Sequence, residues 1–146
     1  MSTVAYKDGI IAGDTKLTDG NLKLHAQKIY RVHDKLLVGL AGDWLGCLKF
    51  LNWIQQNNHY PEITVGWNFE EKDTLKFEAL VADKDSIAVY DHCMIKMYID
   101  ETFWAAGSGR DIAIGAMAHG ATAEEAVEIA TEYDTYTEGE VMTLEL

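Results

Sequence analysis

Asp8-Gly9 stands between two short apolar runs, Val4-Ala5-Tyr6 and Ile10-Ile11-Ala12. A two-residue type I′ turn needs positive φ at both central positions, and Asp-Gly meets that need with little strain. The pair therefore predicts a hairpin with a fixed register, in which Thr3 faces Asp14 and Ser2 faces Thr15. A slip of one residue would turn every side chain to the opposite face. This motif thus ties the start of the sequence to Asp14.

The remaining pattern predicts strands first and helices later. Residues 15–27 are polar, with Asp19-Gly20 as a turn. Residues 28–32 read as a strand, His33-Asp34-Lys35 as a turn, and 36–40 as a buried strand with a continuous apolar run. A helix is expected from Asp43 as N-cap, with Trp44, Leu48, Leu51 and Ile54 or Gln55 on its inner face. Asn57-Asn58 and Pro61 would end it. Residues 63–73 carry no clear pattern. Segments 77–82 and 86–90 form a hairpin around Asp83-Lys84-Asp85, followed by short strands at 94–99 and 103–106. Residues 111–119 predict a buried, Ala-rich helix closed by Gly120. Thr122-Ala123-Glu124-Glu125 is a capping box opening a helix with Ala126, Ile129, Ala130 and Tyr133 on one face. Residues 141–146 alternate as a last strand. Segregated strand and helix runs predict an α+β fold, with helices packed on sheets.

The chain has 146 residues, enough for one core, so 1–146 is expected to be a single domain. With 24 acidic and 12 basic residues the net charge is -12, which argues against binding a phosphate backbone. No apolar run approaches the roughly 20 residues of a membrane span. The opening MSTVAYKDG lacks the pattern of a secretory signal, so a cytoplasmic location is expected. Cys47 and Cys93 lack paired spacing and read as small core hydrophobes. His25, His33, His59, His92 and His119 are scattered, so no metal site is expected. Gly107-Ser108-Gly109 lacks dinucleotide-binding spacing, and neither a P-loop nor a nucleophile elbow is present. Asp83/Asp85 and Glu124/Glu125 read as turn and helix-start charges.

The chemical signal lies at the start. Removal of Met1 would leave Ser2 with a free α-amine beside its hydroxyl. An α-amine titrates at about 7.7–8.0, so it can accept the hydroxyl proton near neutral pH and make one residue both nucleophile and base. Four segments then fall in order: STVAYKDGIIAGDTKLT (2–18), KIYRVHDKLLVGLAGD (28–43), AAGSGRDIAIGAM (105–117) and YDTYTEGEV (133–141). Together they resemble a proteasome β-subunit, in the compact form of the bacterial peptidase HslV and its small phage-encoded relatives.

The resemblance implies an N-terminal-nucleophile hydrolase with a four-layer α-β-β-α sandwich. It implies that Ser2 is the nucleophile and that Asp14 pairs with Lys28 beside it. On this pattern Gly42 supplies an oxyanion-hole N–H, Ser108 bonds the free amine, Asp134 supports Ser108, and Thr137 stands where a Ser is common. Leu40 would line the first specificity pocket. No cofactor is implied. The expected substrate is a peptide or unfolded protein, the expected assembly a homo-oligomeric ring, and the expected partner a separate ATP-dependent unfoldase. Three positions depart from the pattern: Ser2 replaces the usual Thr, Asp43 a small residue, and Glu138 the first Gly of a late pair. They keep two competing expectations open, an inactive phage-associated ring or scaffold protein and a small-molecule amide hydrolase.

Overall fold

The computed structural model describes residues 2–57 and 76–146. Strand β1 (Thr3–Lys7) turns at Asp8-Gly9 into β2 (Ile10–Gly13). Asp8 has φ 53° and Gly9 φ 80°, the positive pair that the turn demands. The register is the expected one, with Val4 opposite Gly13 and Lys7 opposite Ile10.

A second hairpin follows, β3 (Lys16–Asp19) and β4 (Leu22–His25), where the sequence reading placed only a polar stretch and a turn. Alternation there is short, and β4 is exposed along its whole length, so no buried face marked it. Next come β5 (Ile29–Val32), β6 (Leu36–Gly42) and helix α1 (Trp44–Gln56). After the break come β7 (Phe77–Ala82), β8 (Ile87–Asp91), β9 (Lys96–Ile99) and β10 (Phe103–Gly107). Helices α2 (Arg110–Ala118) and α3 (Ala123–Tyr133) and strand β11 (Met142–Glu145) complete the fold. Asn58, Pro61 and the unassigned segment 63–73 lie outside the described residues.

Two antiparallel sheets face each other, one ordered β10-β1-β2-β11 and the other β5-β6-β7-β8-β9. Val4, Tyr6, Ile11, Ile29, Leu37 and Leu80 fill the space between them. The strand period of two sends Leu37 into that layer and its neighbours Val38 and Leu40 to the opposite face. There α1 covers them with Cys47, Phe50, Leu51 and Ile54. Helices α2 and α3 cover the outer face of the first sheet, on Ala5, Ala12 and Ala105. The result is the expected α+β architecture, a four-layer α-β-β-α sandwich.

Three helix faces differ from expectation. In α1, Leu48 is 41% exposed, and Phe50 and Trp53 point inward, where Phe50 meets Phe77 and Tyr90 at ring separations of 5.7 and 5.1 Å. Helix α2 buries only Ala113 and Met117. Helix α3 buries Ala123, Ala126, Val127 and Ala130 and leaves Tyr133 74% exposed. Small residues allow α3 to lie close on an alanine-lined sheet face, so its inner stripe follows size more than hydrophobicity. Cys47 is buried, as expected, whereas Cys93 is only half-buried.

The capping box is present. Thr122 Oγ1 accepts from Glu125 N at 3.1 Å, and Glu125 Oε1 accepts from Thr122 N at 3.0 Å. Thr122→Ala is expected to cost about 1 kcal/mol, read as a lower urea midpoint with an unchanged m value.

Candidate active site

The hairpin register delivers Asp14 to the start of β1. Thr3 N donates to Asp14 Oδ1 at 3.0 Å, and Asp14 N donates to Thr3 O at 3.2 Å. Asp14 is fully buried, and its other oxygen accepts from Lys28 Nζ at 3.0 Å and Glu138 N at 3.3 Å.

Lys28 immediately precedes β5. Taken alone it is an ordinary strand-edge lysine, but here its side chain is only 1% exposed. Its ammonium has three hydrogens and three acceptors: Ser2 Oγ at 2.7 Å, Asp14 Oδ2, and the Lys16 carbonyl. Burial lowers the proton affinity of Lys28, and the adjacent Asp14 carboxylate opposes that shift. Ser2, Asp14 and Lys28 thus form one buried, hydrogen-bonded group.

A second polar chain joins the same strand end to α2 and α3. The Thr3 and Thr137 hydroxyls are 2.6 Å apart. Thr137 Oγ1 donates to Asp134 Oδ2 at 2.5 Å, and Ser108 Oγ donates to the same oxygen at 2.6 Å. Ser108 Oγ also lies 3.3 Å from the Ser2 carbonyl oxygen. The backbone of this turn must approach Ser2 very closely. Gly107 has φ 99°, and a Cβ there would lie 2.0 Å from Ser2 O. A Cβ on Gly109 would lie 2.1 Å from Thr3 Oγ1. Gly-Ser-Gly is therefore a close-approach turn.

A cavity of about 490 Å³ opens beside Ser2. Gly42, Asp43, Trp44 and Leu45 form one wall, and Lys16, Leu17, Thr18, Asp19 and Leu24 of the β3–β4 hairpin form another. Asp43 also caps α1, its Oδ1 accepting from Gly46 N at 3.1 Å. Leu40 requires a correction. It is fully buried in the core under α1, against which Trp44 packs, and Trp44 reaches the cavity in its place. Strand alternation puts Leu40 on the helix-facing side, two residues before the chain emerges at Gly42.

The structure therefore brings Ser2, Asp14 and Lys28 into one cluster and Ser108, Asp134 and Thr137 into a second that touches it, with Gly42 on the cavity wall. Sequence reasoning missed the Lys16 carbonyl, the Thr3 hydroxyl and the hairpin wall. The alternation of Lys16-Leu17-Thr18 with Leu22-Lys23-Leu24 about Asp19-Gly20 was the available signal for the wall. Among the described residues, no three His, Cys, Asp or Glu side chains converge as a metal site, and no helix is long and apolar enough to cross a membrane.

Sheet order and layers define a fold of the proteasome β-subunit and HslV type. Thiobacillus denitrificans BPH is similar with a TM-score of 0.74 at 22% identity, over 99% of this chain and 96% of that one. The same protein in complex with epoxomicin gives 0.73 at 23% identity, over 99% and 97%. Eukaryotic HslV from Trypanosoma brucei gives 0.74 at 18% identity, over 99% of each chain. No family model matches the sequence, and no curated protein matches it.

Proposed function

We propose that this chain is a proteasome-like peptidase subunit that cleaves peptide bonds through Ser2 once Met1 is removed. The observation that carries the reading is the 2.7 Å contact from the buried Lys28 ammonium to Ser2 Oγ, at the edge of a cavity and backed by Asp14.

In this mechanism the freed α-amine takes the Ser2 hydroxyl proton, and Oγ forms a bond to the peptide carbonyl carbon. The Lys28 ammonium favours the developing negative charge on Oγ, and Asp14 holds Lys28 in place. Gly42 N–H donates to the tetrahedral oxyanion. Collapse breaks the C–N bond, and the α-ammonium returns its proton to the leaving amine. Water, deprotonated by the same amine, hydrolyses the ester and restores Ser2. Ser108, Asp134 and Thr137 hold the Ser2 backbone and orient its amine.

The rest of the reading concerns assembly. The chain would form a homo-oligomeric ring in the cytoplasm, with peptide or unfolded protein delivered by a separate ATP-dependent unfoldase. Similarity over 99% of the chain to BPH and HslV supports a single domain built on this plan.

Purified protein is expected to hydrolyse short fluorogenic peptides and to lose that activity with epoxomicin, the molecule in complex with BPH. Absence of both turnover and inactivation in the assembled protein would contradict the reading and favour a silent ring protein.

A further inference from the structure

Glu138 stands where the resembled pattern has glycine, and the structure gives its side chain a definite place. Its carboxylate pairs with Lys16 Nζ at 2.7 Å and Lys23 Nζ at 3.1 Å. Its backbone bonds the same stretch of chain, with Glu138 O accepting from Thr15 N at 3.3 Å and Lys16 N at 3.1 Å, and Glu138 N donating to Asp14 Oδ2. Every one of these contacts except that to Lys23 falls on residues 14–16. That stretch supplies two of the three acceptors around Lys28, the Asp14 carboxylate and the Lys16 carbonyl.

The side chain has a role that the backbone bonds do not cover. Lys16 also carries an ammonium, and its charge opposes a charged Lys28. The groups facing Lys28 are Ser2 just before β1, Asp14 after β2, Lys16 from β3 and Cys47 from α1. Cys47 contributes no charge near neutrality, because burial pushes its thiol up to about 12. Lys16 is therefore the only one of these four that acts against the Lys28 charge, and Glu138 is its counter-ion.

We propose that Glu138 is a positioning residue that acts on Lys28 through Lys16: paired with the Lys16 ammonium, it offsets the charge that Lys16 sets against Lys28, on the same stretch of chain whose carbonyl accepts from the Lys28 ammonium. The inference rests on the peptidase reading above. Its direction agrees with the local electrostatics, in which Lys16 lowers the proton affinity of Lys28 and hydrogen bonds from Lys16 and then Lys23 hold the Glu138 carboxyl below its usual range.

The test is the pH profile of Ser2 labelling by epoxomicin in wild type, Glu138→Gln, Lys16→Met and the double variant. Glu138 is exposed, so its amide form keeps the fold. The mechanism needs Lys28 charged, so labelling falls at alkaline pH as Lys28 loses its proton. Glu138→Gln leaves Lys16 compensated only by solvent and should move that alkaline limb down by about half a unit, a loss of about threefold where labelling is falling with pH. Lys16→Met should move the limb up, and the double variant should return it to the wild-type position or above. A Glu138→Gln profile superimposed on wild type would overturn the proposal, as would a double variant that falls as far as Glu138→Gln. Failure of the wild type to label would overturn the peptidase reading and this inference with it.

Discussion

Lys28→Met is expected to reduce Ser2 labelling and peptide turnover by about 10³-fold or more, the scale seen when one member of a catalytic unit is removed. Methionine keeps most of the length of the lysine side chain but cannot donate to Ser2 Oγ, Asp14 Oδ2 or the Lys16 carbonyl. The same change strands Asp14, whose remaining donors are Thr3 N and Glu138 N, in a fully buried position. Breaking a buried ion pair by deleting one partner costs about 3–5 kcal/mol, so the urea midpoint should fall as well. Asp14→Asn/Lys28→Met removes both charges and should recover most of that stability, because replacing a whole buried pair is close to neutral. Activity should stay lost in the double variant. Stability and chemistry are thereby separated, and recovery of both together would show that Lys28 serves only the fold.

Gly107→Ala is expected to have the second largest effect. The new Cβ would meet the Ser2 carbonyl oxygen at 2.0 Å and the Ala41 Cβ at 3.1 Å, on a backbone held at φ 99°. Ala41 lies in β6 and Ser2 leads directly into β1, so these atoms give way only by moving the sheets. Overpacking of this kind costs about 1–3 kcal/mol, and a non-glycine residue at such a φ adds about 1–2 kcal/mol. Ser2 must shift relative to Lys28, and a displacement near 1 Å at a reacting group costs about 10²-fold in rate. Gly115→Ala, a helix position where a Cβ meets nothing within 4 Å, is the control that should leave labelling unchanged. Equal labelling rates for the two variants would contradict the close-approach reading of the turn.

The legible parts of this fold were those set by local chemistry. Asp8-Gly9 specified its turn and, through it, the pairing of Thr3 with Asp14. The Thr122 box specified the start of α3. The helix faces were less legible because periodicity reports hydrophobicity, whereas burial also depends on how closely the partner surface approaches. Tyr133 fits a helical stripe but is too large for the alanine-lined face that takes Ala126 and Ala130. Phe50 was missed because the three aromatic rings that it joins come from α1, β7 and β8, far apart in sequence.

The site was legible as residue types in order, but not as an environment. Nothing local to Lys28 distinguishes a strand-edge lysine from one with three acceptors around a buried ammonium; the difference comes from two other segments, Ser2 and the stretch from Asp14 to Lys16. Leu40 illustrates the reverse error. The resemblance implied that it lines the first specificity pocket, yet strand alternation directs it into the core. Glu138 reads as a departure until the structure places Lys16 and Lys23 against it.

The central claim is that Ser2 becomes an N-terminal nucleophile. Intact mass spectrometry of the native assembled protein, before and after epoxomicin, tests it most directly, with the adduct then located by peptide mapping. The account predicts a mass lacking Met1 and a single adduct on Ser2. Retention of Met1 with no adduct at Ser2 would contradict it.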